Sequence, residues 1–274
     1  MDAAIVFSDI LLILNAVGQK VEFKEKRGPI LGNYDLNKFY KTSDKKFIKN
    51  LKNVYKILKK IKKELPKEKA LVGFAGSPWT LLVYMINKGS PKKNKNLLKN
   101  LKKKEVIKMI KRLENLVYIH CKEQILAGAG VIQLFDSWAG LINKRSLREF
   151  CINPNKNIVS RLKKVFPNNP IICFPKGINE NINTFIKTVK PHGISIDYDV
   201  SLKKLDLNNN VVFQGGMNPK FLLGNKEKMF REAKKYLDFF KHKPYIFNLG
   251  HGILPQTKPE SVKKLVEFVR GYNL

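Results

Sequence analysis

Short apolar runs alternate with longer amphipathic stretches from one end of the chain to the other, and that alternation limits the folds open to it. Apolar or β-branched runs occur at Ala3 to Ser8, Ala70 to Gly76, Val131 to Phe135, Pro170 to Phe174, Gly193 to Ile196, Val211 to Phe213 and Tyr245 to Leu249. Each is followed by turn-forming residues, so the seven are expected to be buried parallel strands. Between Ser43 and Leu65, the residues Phe47, Leu51, Val54, Tyr55, Leu58, Ile61 and Leu65 recur at helical spacing while lysines fill the other face. One helix is predicted there, stopped by Pro66. A last helix runs through Val262, Leu265, Val266 and Val269, with Thr257 and Glu260 spaced as a capping box and Pro259 in its first turn. Strand then helix, repeated, predicts a parallel sheet covered by helices.

Polar or special residues gather just past the apolar part of every run: Asp9, then Ser77 and Pro78, Asp136 and Ser137, Lys176, Asp197 and Tyr198, Gln214, and finally Asn248 and His251. In a barrel such positions converge on one mouth, whereas an open sheet uses only the strands at a switch point. The pattern favours a TIM-like (β/α)8 barrel. That class needs eight strands, and closure is what removes unpaired edges, yet only seven runs are present. Because the first run begins at Ala3, the missing first strand is placed at the N-terminus. No Gly-rich linker divides the alternation and no repeat of fixed period is visible, so residues 1–274 are expected to form a single, N-terminally incomplete domain. The Lys- and Asn-rich cluster from Lys92 to Lys104 reads as an insertion or a solvated helix start.

A chain of 274 residues with 43% hydrophobic content can bury a sizeable core. Every apolar stretch falls well short of the about 20 residues needed to cross a bilayer. MDAAIVFSDI has no basic region ahead of its apolar run, so an unexported, cytoplasmic protein without membrane contact is expected. Cys121, Cys151 and Cys173 are an odd number without CxxC spacing, which suggests neither a disulfide framework nor a zinc ribbon. The formal charge of +31 could attract a polyanion, but only seven of the 53 basic residues are Arg. Base reading and phosphate clamping favour the planar arginine fork, and the Lys excess accompanies abundant Asn and Ile, so compositional drift on solvated faces is preferred to a specific nucleic-acid surface.

Six strings resemble the uroporphyrinogen decarboxylase family: DAAIVFSDIL (2–11), GFAGSPWTLLVYM (73–85), QLFDSWAG (133–140), FPKG (174–177), QGGMNP (214–219) and FNLGHGILPQTKPE (247–260). Their order and spacing match from end to end. The resemblance implies a TIM-barrel homodimer that removes the carboxyl groups of the four acetate side chains of uroporphyrinogen III, giving coproporphyrinogen III without a cofactor. It implies that Asp9 reaches the pyrrole nitrogens at the centre of the macrocycle. Tyr84, Ser137 and His251 match the family's substrate-contacting tyrosine, serine and histidine, and Phe74 and Phe135 match aromatics lining its cleft. Loss of CO2 from an acetate arm needs an electron sink, which the pyrrole becomes once protonated on carbon. A buried carboxylate beside the pyrrole N–H groups stabilises that cation more than the neutral ground state.

Plainer readings exist for the same residues. An Asp after a strand is often a helix N-cap, and Tyr84 at its helical position is by default a core aromatic with its hydroxyl satisfied. His251 between Gly250 and Gly252 is harder to dismiss, since both glycines allow close approach. His120 and His242 read as structural or solvated. Departures from the family are Tyr198 for Trp, Gly216 and Met217 for Asn-Leu, and the absence of an RQAGRY-like string with its arginine pair. Charge-assisted arginine bonds to carboxylates contribute about 1.5–3 kcal/mol each, so the chain as written is expected to decarboxylate little or not at all. A misassigned start, a decaying gene copy or a second polypeptide supplying the strand would account for the gap, in that order. A zinc-dependent methyltransferase of the same fold would need an HxC-type ligand set, and a basic non-catalytic binding protein would need a nucleic-acid signature; neither is found.

Overall fold

All seven apolar runs form strands in the computed structural model, which describes residues 2–6, 8–24, 28–91, 98 and 101–272. In chain order the elements are β1 (Ala3–Ile5), α1 (Leu12–Ala16), β2 (Val21–Lys24), β3 (Gly28–Leu31), α2 (Leu36–Lys41), α3 (Asp44–Asn50), α4 (Lys52–Glu64), β4 (Ala70–Gly76), α5 (Pro78–Asn87) and α6 (Lys103–Leu126). There follow β5 (Val131–Asp136), a π-helical turn (Arg148–Ile152), α7 (Asn153–Val165), β6 (Ile171–Pro175), α8 (Ile182–Val189), β7 (Gly193–Ile196), β8 (Val212–Gly215), α9 (Lys226–Phe239), β9 (Tyr245–Ile246) and α10 (Pro259–Arg270). Seven strands pair in the order β1-β4-β5-β6-β7-β8-β9, every neighbour parallel. The sheet curls as an incomplete barrel. Among the described residues β1 pairs only with β4 and β9 only with β8, so these are the two edges.

The strands are short because burial, not length, holds them. Ile132 and Leu134 of β5, Ile171 of β6 and Ile194 of β7 are 0% exposed, as are Leu113, Leu116 and Val117 of α6. α6 packs on β4 and between α5 and α7. Its Gln124 clasps β4, the carboxamide oxygen accepting from Phe74 N–H at 3.0 Å and its nitrogen donating to Phe74 C=O at 2.8 Å. No helix among the described residues is long and apolar enough to cross a membrane.

Several local expectations are corrected. The stretch from Ser43 to Leu65 is two helices, α3 and α4, which meet at Leu51, whose φ of −99° and ψ of 6° leave the α basin. Ser43 caps α3 by accepting from Lys46 N–H, and Leu65 before Pro66 ends α4. The capping box proposed for Thr257 and Glu260 does not form: Lys258 precedes the first helical residue, Pro259, and the buried Thr257 hydroxyl has no hydrogen-bond partner among the described residues. Tyr245 to Leu249 supplies only two strand residues, with Leu249 returning to the sheet through an isolated bridge to Met217. The antiparallel pair β2–β3 was not expected, and Gln19 pins it to α5 by donating to Gly32 C=O and Met85 C=O. Most of the Lys- and Asn-rich cluster lies outside the described residues, as do Phe7 of the first run and Arg27; Lys103 and Lys104 open α6.

Leu134 sits at the centre of the middle strands with no exposed surface. Leu134→Ala is expected to destabilise the chain by about 2–5 kcal/mol, seen as a lower urea midpoint at unchanged slope.

Candidate active site

Parallel strands in chain order all end on the same rim, and the residues singled out from the sequence are distributed around it. Asp9 follows β1 at a φ of 62°, a left-handed conformation that Asp tolerates better than most side chains. The adjoining turn seats on the end of β4, since a Cβ added at Gly76 would lie 3.1 Å from Ile10 Cβ. Asp9 Oδ1 accepts from Leu11 N–H at 2.7 Å. α1 nevertheless starts beyond it, at Leu12, with Leu11 in the capping position and no side-chain cap, so Asp9 shapes the turn rather than capping the helix. Its Oδ2 takes no hydrogen bond among the described residues. Dehydration pushes the carboxyl above its ordinary pKa, opposed among the described residues only by the Leu11 N–H, with no cation among them to offset it.

Phe74 of β4, Phe135 of β5 and Phe174 of β6 form a continuous aromatic row, with ring centroids 5.8 Å and 6.1 Å apart and near-perpendicular planes. Phe174 was not singled out from the sequence, although its register opposite Phe135 makes it the natural continuation of that row. Tyr84 lies on α5, half-buried, its ring edge-on to Trp138 at 5.9 Å. That contact brings Tyr84 to the loop carrying Ser137. Neither the Tyr84 hydroxyl nor the Ser137 hydroxyl has a hydrogen-bond partner among the described residues, so the expectation of a satisfied core tyrosine does not hold for its oxygen.

His251 stands apart from this group, exposed beyond β9. Partial dehydration, then the Lys176 ammonium, lower its pKa against the pull of Asp197. A neutral imidazole is the form so favoured, able to donate and to accept. Asp197 is buried and spans two loops, Oδ2 accepting from Gly177 N–H at 2.6 Å and Oδ1 from Asp199 N–H at 2.9 Å. Of the two glycines flanking His251 only Gly250 is forced by contact: a Cβ there would lie 2.6 Å from Tyr198 N, whereas nothing stands within 4 Å at Gly252.

Not every polar residue at a strand end faces the mouth. Ser77 and Asp136 turn into the helix layer, where they are 0% and 1% exposed. Gln214 lies inside β8, donating to Ser195 Oγ at 2.8 Å and to Gln133 Oε1 at 3.3 Å. The period of two explains Asp136, which follows Phe135 on β5 and so points to the opposite face; Gln214 stays on the inner face with its register partner Ser195 and with Gln133, below the mouth. His120 is buried and shares a hydrogen bond of 3.0 Å with Tyr55 Oη, which fits its structural reading, and His242 is exposed. Among the described residues no group of three or more His, Cys, Asp or Glu side chains is arranged to hold a metal ion.

The profile described as "Uroporphyrinogen decarboxylase (URO-D)" matches residues 1–272. The chain belongs to the URO-D family. It is 41% identical to uroporphyrinogen decarboxylase of Rickettsia felis over 274 residues, covering 99% of this chain and 79% of that protein. It is 40% identical to the enzyme of the same name from Rickettsia bellii, over 99% of this chain and 81% of that one. Among solved structures, a methyltransferase from Methanosarcina mazei superposes with a TM-score of 0.80 at 19% identity, over 97% of this chain and 79% of that one. A B12-independent methionine synthase from Shewanella sp. W3-18-1 gives 0.56 at 13% identity, over 92% and 74%. At such identities these two show the fold alone.

One departure from the URO-D pattern has a visible cause. Gly216 has a φ of 106°, and a Cβ there would lie 2.5 Å from Tyr236 Cε1, while the Tyr236 hydroxyl donates to Gly216 C=O at 2.7 Å. The tyrosine occupies the space that a longer residue at 216 would need.

The raised pKa of Asp9 carries a stability consequence. A carboxyl that holds its proton more tightly folded than unfolded destabilises the fold as pH climbs from the ordinary 3.8 through the raised value. Asp9→Asn keeps the Oδ1 acceptor and tolerates the left-handed backbone. It is expected to raise the urea midpoint at pH 7, with the gain fading as pH falls toward 3.8. Equal midpoints at neutral pH would contradict the dehydrated carboxylate.

Proposed function

We propose that this chain decarboxylates the acetate arms of uroporphyrinogen III to give coproporphyrinogen III in porphyrin synthesis, as a carboxy-lyase, with Asp9 as its catalytic residue. Family membership supports the reaction. The observation that carries the role of Asp9 is its carboxyl itself: half-buried, with no counter-charge and one oxygen uncommitted among the described residues, and seated at the rim after the strand next to the one on which the aromatic row begins.

A pyrrole protonated on ring carbon is a cation, and a dehydrated anion close to it stabilises that state more than the neutral ring. The bond between the acetate methylene and its carboxylate then breaks. Its electron pair enters the cationic ring and CO2 leaves; a proton then adds to the exocyclic carbon to give a methyl group, and the proton first placed on ring carbon departs, restoring the neutral pyrrole. The substrate supplies its own electron sink, so the mechanism asks for no cofactor. Tyr84, Ser137 and His251 hold the carboxylate arms by hydrogen bonds, which contributes orientation more than proton transfer. Phe74 and Phe135 give the macrocycle an apolar wall. On this reading residues 1–274 act as one domain, since the seven-stranded sheet and the two-stranded ribbon share one core among the described residues. The protein works in the cytoplasm as a homodimer, with no nucleic-acid or membrane partner.

The test uses uroporphyrinogen kept anaerobic, with binding followed by calorimetry and coproporphyrinogen by chromatography. Slow turnover is expected, and Asp9→Asn should lower it by about 100-fold or more while affinity stays within about threefold. Turnover that survives Asp9→Asn unchanged rejects the role.

A further inference from the structure

The polar residues at the ends of β4 and β5 that turn from the mouth meet in a closed cluster with α5 and α7. Ser77, Thr80, Asp136 and Asn155 are each 1% exposed or less. Asp136 Oδ1 accepts from Thr80 Oγ1 at 2.7 Å, and Oδ2 from Asn155 Nδ2 at 3.2 Å. Asn155 Oδ1 accepts from Ser77 Oγ at 2.9 Å. The Asn155 amide also donates to Cys151 C=O at 2.8 Å, within the π-helical turn that leads into α7. Such turns are uncommon and recur near functional sites. Here the turn also presents Phe150, which stacks on Trp79 at 5.6 Å with planes 9° apart.

The two peptide units that flank Trp138 in the Ser137 loop are each held by the first turn of α5. Thr80 Oγ1 accepts from Trp138 N–H at 3.1 Å, and Trp79 Nε1 donates to Trp138 C=O at 2.9 Å. A threonine hydroxyl has one proton to give, and here it goes to Asp136 while a lone pair takes the Trp138 amide, so the rotor has a single orientation. Buried donors and acceptors of this kind are costly to leave unpaired, which makes the arrangement close to all-or-none. One turn beyond Thr80 on the same helix is Tyr84, and one residue before Trp138 is Ser137.

We propose that Thr80, held by Asp136 and Asn155, is a positioning residue that locks the Ser137 loop to α5 and so fixes the spacing of the Ser137 and Tyr84 hydroxyls that grip the substrate. The proposal rests on the reading of those two as substrate contacts, and it adds a reason for a carboxyl buried outside the mouth. Asp136 does not touch substrate; it aims the hydroxyl that aims the loop.

The chain has two tryptophans, Trp79 and Trp138, and both belong to the clamp, so intrinsic fluorescence reads it directly. Thr80→Val keeps the shape and removes the hydroxyl. With uroporphyrin, the oxidised and unreactive form of the substrate, as probe, Thr80→Val is expected to shift the tryptophan emission and weaken binding about tenfold at unchanged far-ultraviolet dichroism; Thr80→Ser restores both. Should Thr80→Val fail to fold, Ser77→Ala removes only the outermost hydrogen bond and is expected to change emission in the same sense, with an affinity loss of about threefold. A lowered melting temperature with unaltered emission and affinity means a merely structural cluster and overturns the proposal. Weaker binding in Ser137→Ala and Tyr84→Phe but not in Thr80→Val overturns the positioning role alone. Undiminished binding in Ser137→Ala and Tyr84→Phe overturns the reading of the contacts, and the proposal with it.

Discussion

Seven strands running parallel in chain order impose one geometry on everything else. A parallel neighbour cannot be reached by a tight turn, so every step along the sheet requires a crossover, and the helices of those crossovers cover one face. The same rule sends all the strand C-termini to one rim. Residues as far apart in sequence as Asp9, Ser137 and His251 therefore share an edge without needing any contact between them. The interior is held by side chains with no exposed surface on β5, β6, β7 and α6, which leaves the rim free to carry groups that do nothing for stability.

Several rim features work against stability. Asp9 combines a left-handed backbone with a dehydrated carboxyl. Gly250 lies so close to Tyr198 that only hydrogen fits. Strained backbone and shifted carboxyls gather where a site has been built, because a fold with no use for them has easier alternatives. Asp136 makes the contrast. It too is dehydrated and its pKa is raised, but three side chains offset the burial. A carboxyl so surrounded organises its neighbours, whereas one with an uncommitted oxygen is available to a ligand.

The strands were legible because a strand buried on both faces needs an unbroken apolar run, and Ala70 to Gly76 or Gly193 to Ile196 can be little else. The break at Leu51 was not, since Phe47, Leu51, Val54 and Leu58 keep one helical period across it and all are buried. Nothing in the spacing marks a one-residue departure from the α basin. The β2–β3 pair did leave a signal, the alternation of Val21, Glu22, Phe23 and Lys24, but it is short, and Phe23 and Pro29 sit opposite each other in a two-stranded ribbon that meets the core through Val21 and Leu31. The direction of Asp136 was hidden for a different reason: standing next to Ser137 at the end of a strand, it looked like a mouth residue until the pleat sent it the other way.

Asp9 and His251 follow the opposite edge strands of the curled sheet, and on the proposed reading that placement suits a macrocycle with a cationic intermediate and anionic arms. Near β1 the group in play is an acid on which no basic neighbour among the described residues acts. Beyond β9 the pKa of His251 is lowered by dehydration and then by Lys176 at the end of β6, while Asp197 is committed to the N–H groups of Gly177 and Asp199. An anionic arm approaching that side meets an ammonium and an imidazole; a ring that becomes positive near Asp9 meets a carboxylate. Reversing the two would set each charge against its like in a place poor in water, where Coulomb terms are least screened. The aromatic row of Phe74, Phe135 and Phe174 lies on the strands between them, and an apolar wall there keeps the dielectric low enough for both poles to matter.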